Sequence, residues 1–259
     1  GKLRVDLLLF NSYINYETIT SYGCGGWIVD EFTDRKHQSR IGLESLTEGL
    51  ELLSSELDEG DYIPAVNCES DDNDLGLDVA DLIKEKNVEL VVMGARSDTQ
   101  DDIMFGADTN AIIENSVRPV FIIPTGTQLK NVHKIFFATD FEEADIKAIR
   151  YMAKLGELLH YKLEIIHVAD PSKKSSTEKE LAFDRQLAGI KYTGLQYHKL
   201  NSKDIVGRLN RFVSHTPGAI LAMVHVQHSF LVRLFEHSVV KEALAHQKTP
   251  LLIFPSKMS

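Results

Sequence analysis

The stretches VELVVMGARSDTQDDIMFGADTNAIIENSVRPVFIIP (88–124) and AILAMVHVQHSFLVRLFEHSVVKEALAHQKTPLLIFP (219–255) align without a gap at an offset of 131 residues. Gly94 faces His225, Ser97 faces His228, Gly106 faces His237 and Pro119 faces Pro250. Each copy reads as an apolar strand, a loop, a helix of about ten residues, a proline and a second apolar strand. Few identities are kept, so the signal is one of pattern. A repeat at this spacing, covering strand, loop, helix and proline together, indicates a duplicated domain. The expected domains are residues 1–126 and 131–259.

Working back from the second copy, KIFFATD (134–140) reads as a buried strand. Residues 143–160 form an amphipathic helix with Ile146, Ile149, Met152 and Leu155 on one side. KLEIIHV (162–168) is a strand, 177–190 a helix, GLQYHKL (194–200) a more exposed strand and 203–215 a helix. The strand before the histidines, a helix at 238–247 and PLLIF (250–254) complete the copy. Strands that alternate with helices and are apolar on both sides predict a parallel sheet covered on both faces.

The first copy is shorter. LRVDLLLFNSY (3–13) matches the second strand of the unit, YKLEIIHVADP (161–171). A polar loop is expected from residue 15 to 38, then a helix at 40–57, a strand at 61–67 and a helix at 76–87. The first strand and helix of the unit have no counterpart. That strand would be central, and its loss would open two hydrogen-bonding edges. The expectation is that the sequence begins inside a longer protein; a rebuilt four-strand half is the other reading. DDNDLGLD (71–78) lacks the spacing of a calcium loop and is expected to cap the helix near Leu75.

The bulk composition narrows the function classes. A length of 259 residues with 43% hydrophobic and 25% charged residues is that of a globular protein with material for two cores. A net charge of −10 argues against nucleic acid or an anionic membrane as the main partner. Cys24 and Cys68 show no metal or redox spacing, which favours a reducing cytoplasm. No apolar run has the length of a membrane helix.

The ATDF of 138–141, the HV of 167–168, MGARS (93–97) and the segment 105–123 give the repeat a resemblance to the universal stress protein family, in its tandem, two-domain type. The resemblance implies two Rossmann-like α/β domains, each a five-stranded parallel sheet of order 3-2-1-4-5, the first lacking its first strand and helix. It implies an internal pseudo-dimer in which PVFII (119–123) pairs with PLLIF (250–254). A further homodimer and an unidentified protein client are left open.

Many family members bind ATP through a glycine, two residues, a second glycine, nine residues and a glycine followed by Ser or Thr. Glycines let backbone approach phosphate, and a helix N-terminus receives the charge. The positions so marked are Gly94, Arg96, Ser97 and Gly106 in the first copy, and Asp140, Val168 and Ser238 in the second. Ser97 replaces the middle glycine, the spacing to Gly106 is eight, and Ala107 replaces the final hydroxyl. In the second copy the gapless alignment sets His225, His228 and His237 at the glycine positions. Four readings of these histidines stand open: packing on Phe230 and Phe235 in a vacated pocket; an anion site with Arg233 and the helix start at Ser238; a zinc site of three imidazoles; and acid–base catalysis. The remaining histidines, among them His167 and His198, read as structural or surface residues.

The sequence thus predicts a stress-response binding or signalling module with degenerate nucleotide sites, not an enzyme and with no cofactor expected. The alternatives are an ATP- or AMP-binding member with weak ATPase activity using the first copy's glycine loop, and a zinc-binding protein using the histidine loop.

Overall fold

The structure, a computed structural model, describes residues 3–12, 25–71, 74–95, 107–127, 129, 132–172, 177–225 and 249–258. The chain separates into two compact units, Gly1–Asp81 and Leu82–Ser259. This boundary follows contact, whereas the division at 126/131 follows sequence repetition.

In the first unit β1 (Leu7–Ser12) and β2 (Val66–Asp71) form a two-stranded parallel sheet, in register from Leu7↔Val66 to Ser12↔Asp71. α1 (Gly25–Ser55) joins them in sequence, far longer than the helix expected at 40–57. Polarity of the segment before residue 40 suggested a loop. The described part of the helix carries exposed Ile41, Leu46, Leu52 and Leu53 beside i,i+4 pairs such as Arg40–Glu44 at 3.5 Å. Leu43 is buried, Asn11 donates to Ser39 at 2.5 Å, and the Thr47 hydroxyl lies 2.9 Å from Cys68 Sγ.

β2 also begins later than the 61–67 expected. Pro64 has no N–H to give a ladder. The Asp6 carboxylate instead accepts from Tyr62 Oη at 2.6 Å and from Ala65 N–H at 2.9 Å. The tyrosine hydrogen bond and then the Ala65 N–H hold the Asp6 pKa below its usual range. α2 (Leu75–Glu85) starts where expected, with Asp74 Oδ1 accepting from the N–H groups of Gly76 (3.0 Å) and Leu77 (3.2 Å).

The second unit holds a seven-stranded sheet. Its strands are β3 (Val91–Ala95), β4 (Val120–Pro124), β5 (Lys134–Ala138), β6 (Lys162–Ala169), β7 (Leu195–Asn201), β8 (Ile220–His225) and β9 (Leu251–Pro255). They lie in the order β3-β4-β9-β8-β5-β6-β7. All neighbours are parallel except β4 and β9, which pair antiparallel through Val120↔Ile253, Phe121↔Leu252 and Ile122↔Leu251. The five strands of the second repeat run parallel in the order β7-β6-β5-β8-β9, and β3 and β4 of the first repeat join this sheet through the β4–β9 pair. The last strand of each repeat meets the other, and one sheet runs through both.

The helices of this unit are α3 (Ala107–Asn115), α4 (Glu143–Leu159), α5 (Thr177–Ala188) and α6 (Ile205–Ser214). Ile146, Ile149 and Met152 of α4 and Phe183 and Leu187 of α5 share one core with Phe137, Leu163, Ile165, Ala222 and Phe254 of the sheet. On the opposite face Phe136 meets Phe212 of α6 edge-on at 5.5 Å. Burial from both sides explains why β6 and β8 are nearly continuous apolar runs. The exception is Glu164 in β6, whose buried carboxylate is answered by Lys134 Nζ at 2.6 Å and His198 Nε2 at 3.2 Å. An unpaired charge there would be strongly destabilising.

Phe254 is fully buried and packs edge-on against Phe137 (6.5 Å) and Tyr151 (5.7 Å). Replacing it by alanine should cost about 3–5 kcal/mol. Urea denaturation should show the midpoint falling with the slope unchanged.

Candidate functional site

Strand order reverses at β5. The chain passes from β5 outward through β6 to β7 on one side, and β8 and β9 lie on the other. In open parallel sheets a crevice forms beyond the carboxyl ends of the strands at such a reversal. Three segments end there: Thr139–Glu142 after β5, His167 and Val168 in β6, and His225 at the end of β8.

The turn after β5 is tightly organised. Thr139 N–H donates to Ile166 O at 2.9 Å, tying the turn to β6. The Thr139 hydroxyl donates to Asp145 Oδ2 at 2.6 Å and accepts from Phe141 N–H at 3.0 Å. Asp145 Oδ2 also accepts from Glu142 N–H at 3.2 Å, which closes the first turn of α4. Phe141 takes φ 67°, a left-handed backbone unusual for a residue with a Cβ. Its ring stacks on His167 at 4.0 Å and contacts Phe183 at 5.1 Å, which offsets the strain. His167 Nδ1 lies 2.9 Å from Thr139 O; a carbonyl can only accept, so the proton is on Nδ1.

Asp140, Val168 and His225 are thus brought to the strand ends around the reversal, Val168 buried and the other two half-buried. His228, His237 and Ser238 lie outside the described residues, as do Arg96, Ser97 and Gly106. Gly94 lies within β3 opposite Ile123. Among the described residues no group of three or more His, Cys, Asp or Glu is placed to hold a metal.

Strand register moves one correspondence. β3 sets Gly94 opposite Ile123 and Ala95 opposite Pro124, while β8 sets Val224 opposite Phe254 and His225 opposite Pro255. The terminal strands match at an offset of 131, so Val224 stands where Gly94 stands and His225 where Ala95 stands. The gapless alignment is one residue out at this strand, because the stretch between it and the last strand is one residue longer in the second copy. In sequence nine residues separate Gln227 from His237, where eight separate Ser97 from Gly106.

Sequence reading left His167 among the structural histidines and passed over Thr139 and Asp145. The ATDF and HV pairs held the signal, since the stacking and the carbonyl contact join just these two motifs.

Asp145 is 1% exposed, and burial pushes its pKa from 3.8 up to about 7. The Thr139 hydrogen bond opposes that rise, the charge of Asp140 adds to it, and the Glu142 and Asp140 N–H groups oppose it. Between about pH 4 and pH 7 the folded chain holds a proton that the unfolded chain has released. Stability should therefore fall as pH rises through that window and level off above it. Denaturation midpoints measured from about pH 5 to pH 8 should show this slope, and Asp145→Asn should flatten it.

No protein-family model and no curated protein matches the sequence. Solved structures do match the fold. A universal stress protein from Archaeoglobus fulgidus DSM 4304 aligns with a TM-score of 0.61 and 14% identity, over 96% of this chain and 86% of that one. A functionally unknown protein from Pseudomonas aeruginosa PAO1 aligns with a TM-score of 0.58 and 13% identity, over 98% of this chain and 83% of that one. At these identities the likeness is one of fold: the chain has the α/β, mostly parallel architecture of universal stress proteins.

Proposed function

We propose that the chain is a tandem universal-stress-type protein, with domains at 1–126 and 131–259, which acts by binding and signalling and not by catalysis. What supports this reading is that Asp140, Val168 and His225 lie at the carboxyl ends of β5, β6 and β8, the strands on either side of the reversal. Those groups can hold a planar polar ring. The phosphate side is poorer. Val224 occupies the strand position of Gly94, and a side chain there hinders the close backbone approach that phosphate needs. The second-half site is read as a degenerate nucleotide site, for ATP or AMP if any.

An ATP-binding reading rests on Gly94, with Arg96, Ser97 and Gly106 completing the loop in sequence. A zinc reading rests on His225 with His228 and His237. The net charge and the exposed, unbridged Cys68 favour a cytoplasmic setting and a protein partner over nucleic acid. No helix of the described residues is long and apolar enough to cross a membrane.

Calorimetry tests the reading. The wild-type chain should show no saturable ATP binding at micromolar concentrations. Micromolar affinity that survives Gly94→Val but is lost on Asp140→Ala would overturn the degenerate assignment. Zinc added at about pH 8 should likewise give no saturable signal; zinc binding that weakens below the imidazole pKa of about 6.5 and is lost in His225→Ala/His228→Ala would select the metal reading.

A further inference from the structure

Three features meet in the turn between β5 and α4. The first is a buried carboxyl group. Asp145 is held by the Thr139 hydroxyl at 2.6 Å, the Glu142 N–H at 3.2 Å and the Asp140 N–H. These donors are neutral, and the like charge of Asp140 acts against ionisation. A carboxylate so placed is costly to charge. The second feature is strain, since Phe141 keeps a left-handed backbone at φ 67°. The third is a single point of attachment. Thr139 gives its N–H to Ile166 O and its hydroxyl to Asp145, and accepts the Phe141 N–H and His167 Nδ1.

Among the described residues, the charged groups of the neighbouring elements are engaged elsewhere or exposed. Lys179 Nζ of α5 pairs with Glu142 at 3.0 Å and is drawn also by Asp140. His167 of β6 meets Thr139 O, and His225 is half-buried at the end of β8. On α4 itself Glu143 and Lys147 are exposed.

We propose that the Thr139–Asp145 contact is a proton-operated latch on the turn that carries Asp140, closed while Asp145 is protonated and released when it ionises. The inference rests on the reading of the second-half site for its consequence: the latch would fix Asp140 at the strand reversal below neutrality and free it above. Oδ2 takes the Thr139 and Glu142 bonds, which leaves Oδ1 to carry the proton. Release puts the carboxyl in water, where its pKa returns toward the ordinary 3.8, against about 7 in the closed turn. The closed turn thus binds the proton more tightly than the open one. Its stability relative to the open turn is full below the ordinary value and falls as pH rises toward the closed one. One linked proton raises the open population about tenfold between pH 6 and pH 8. Opening also relieves the strained backbone of Phe141, which lowers its cost.

Hydrogen exchange of the full chain, read residue by residue by NMR, tests the latch. Each rate is divided by that of an unstructured peptide at the same pH. No ligand is needed, so failure here is separate from failure of the binding reading, which calorimetry decides. The Glu142 amide should lose protection about tenfold from pH 6 to pH 8. At pH 8 it should exchange at least about a hundredfold faster than the amide of Phe137 in β5, because the turn opens without the sheet. Asp145→Asn should keep at pH 8 the protection it has at pH 6. Asp140→Asn leaves Asp145 in place and removes the charge that raises it, so the loss should move to lower pH. Glu142 and Phe137 exchanging alike at every pH would show that the turn opens only with the whole fold, and would overturn the proposal. So would protection of Glu142 that does not vary with pH, a loss that persists in Asp145→Asn, or one that stays in place in Asp140→Asn.

Discussion

The hydrogen bonding of β5 on both edges is the constraint on which the rest depends. It pairs with β6 through Lys134↔Lys162 to Ala138↔Ile166 and with β8 through Ile135↔Ile220 to Phe137↔Ala222. Because both neighbours run parallel to it, neither connection can be a tight hairpin, and helices must cross the faces. That requirement places α4 and α5 over Phe137, Leu163 and Ile165 and gives the unit its core. It also creates the reversal of strand order, since the chain leaves β5 in one direction and returns to its other side later. The strand ends that carry Asp140, Val168 and His225 flank this reversal as a result of the same pairing.

Glu164 and Asp145, both buried carboxyl residues of the second unit, have different surroundings. Glu164 has Lys134 Nζ at 2.6 Å and His198 Nε2 at 3.2 Å, two residues from flanking strands. Asp145 has no cation beside it among its recorded partners. It is held by the Thr139 hydroxyl and backbone N–H groups, next to the like charge of Asp140. Hydrogen bonds alone do not offset burial there, so the carboxyl is raised to about 7. Burial, with the charge of Asp140 adding to it, brings Asp145 near neutrality, at the base of the turn that presents Asp140.

Much of the second half was legible because its elements have a clean period and clear punctuation. β5, α4, β6, α5, β7 and α6 fall within a few residues of their expected spans, bounded by proline, glycine and capping acids. The pairing of the segments 119–123 and 250–254 was also readable, because two short apolar strands each preceded by proline leave edges that want a partner. The first half was less legible. The residues before 40 are polar enough to pass for a loop, yet α1 begins at Gly25; nothing in a period of 3.6 marks a helix with little apolar face. The start of β2 was hidden by Pro64 and by the side-chain ties of Asp6, which hold an extended segment outside the ladder. At the site, a gapless alignment could not reveal a one-residue difference in loop length; only the pairing of β3 with β4 and of β8 with β9 shows it.

That single-residue shift changes the chemistry assigned to the histidine. At the position of Ala95, His225 is the last residue of β8, one step along the strand and on the opposite pleat. The glycine-like strand position is then held by Val224, buried and apolar, which closes the backbone approach without adding a proton donor. His225, half-buried at the strand end, is free of that steric role and stands on the side of the reversal across from Asp140. Among the described residues of the second half, the turn bearing Asp140 and the Phe141–His167 stack are held by the Phe141 N–H bond to Thr139, the His167 contact with Thr139 O and ring packing.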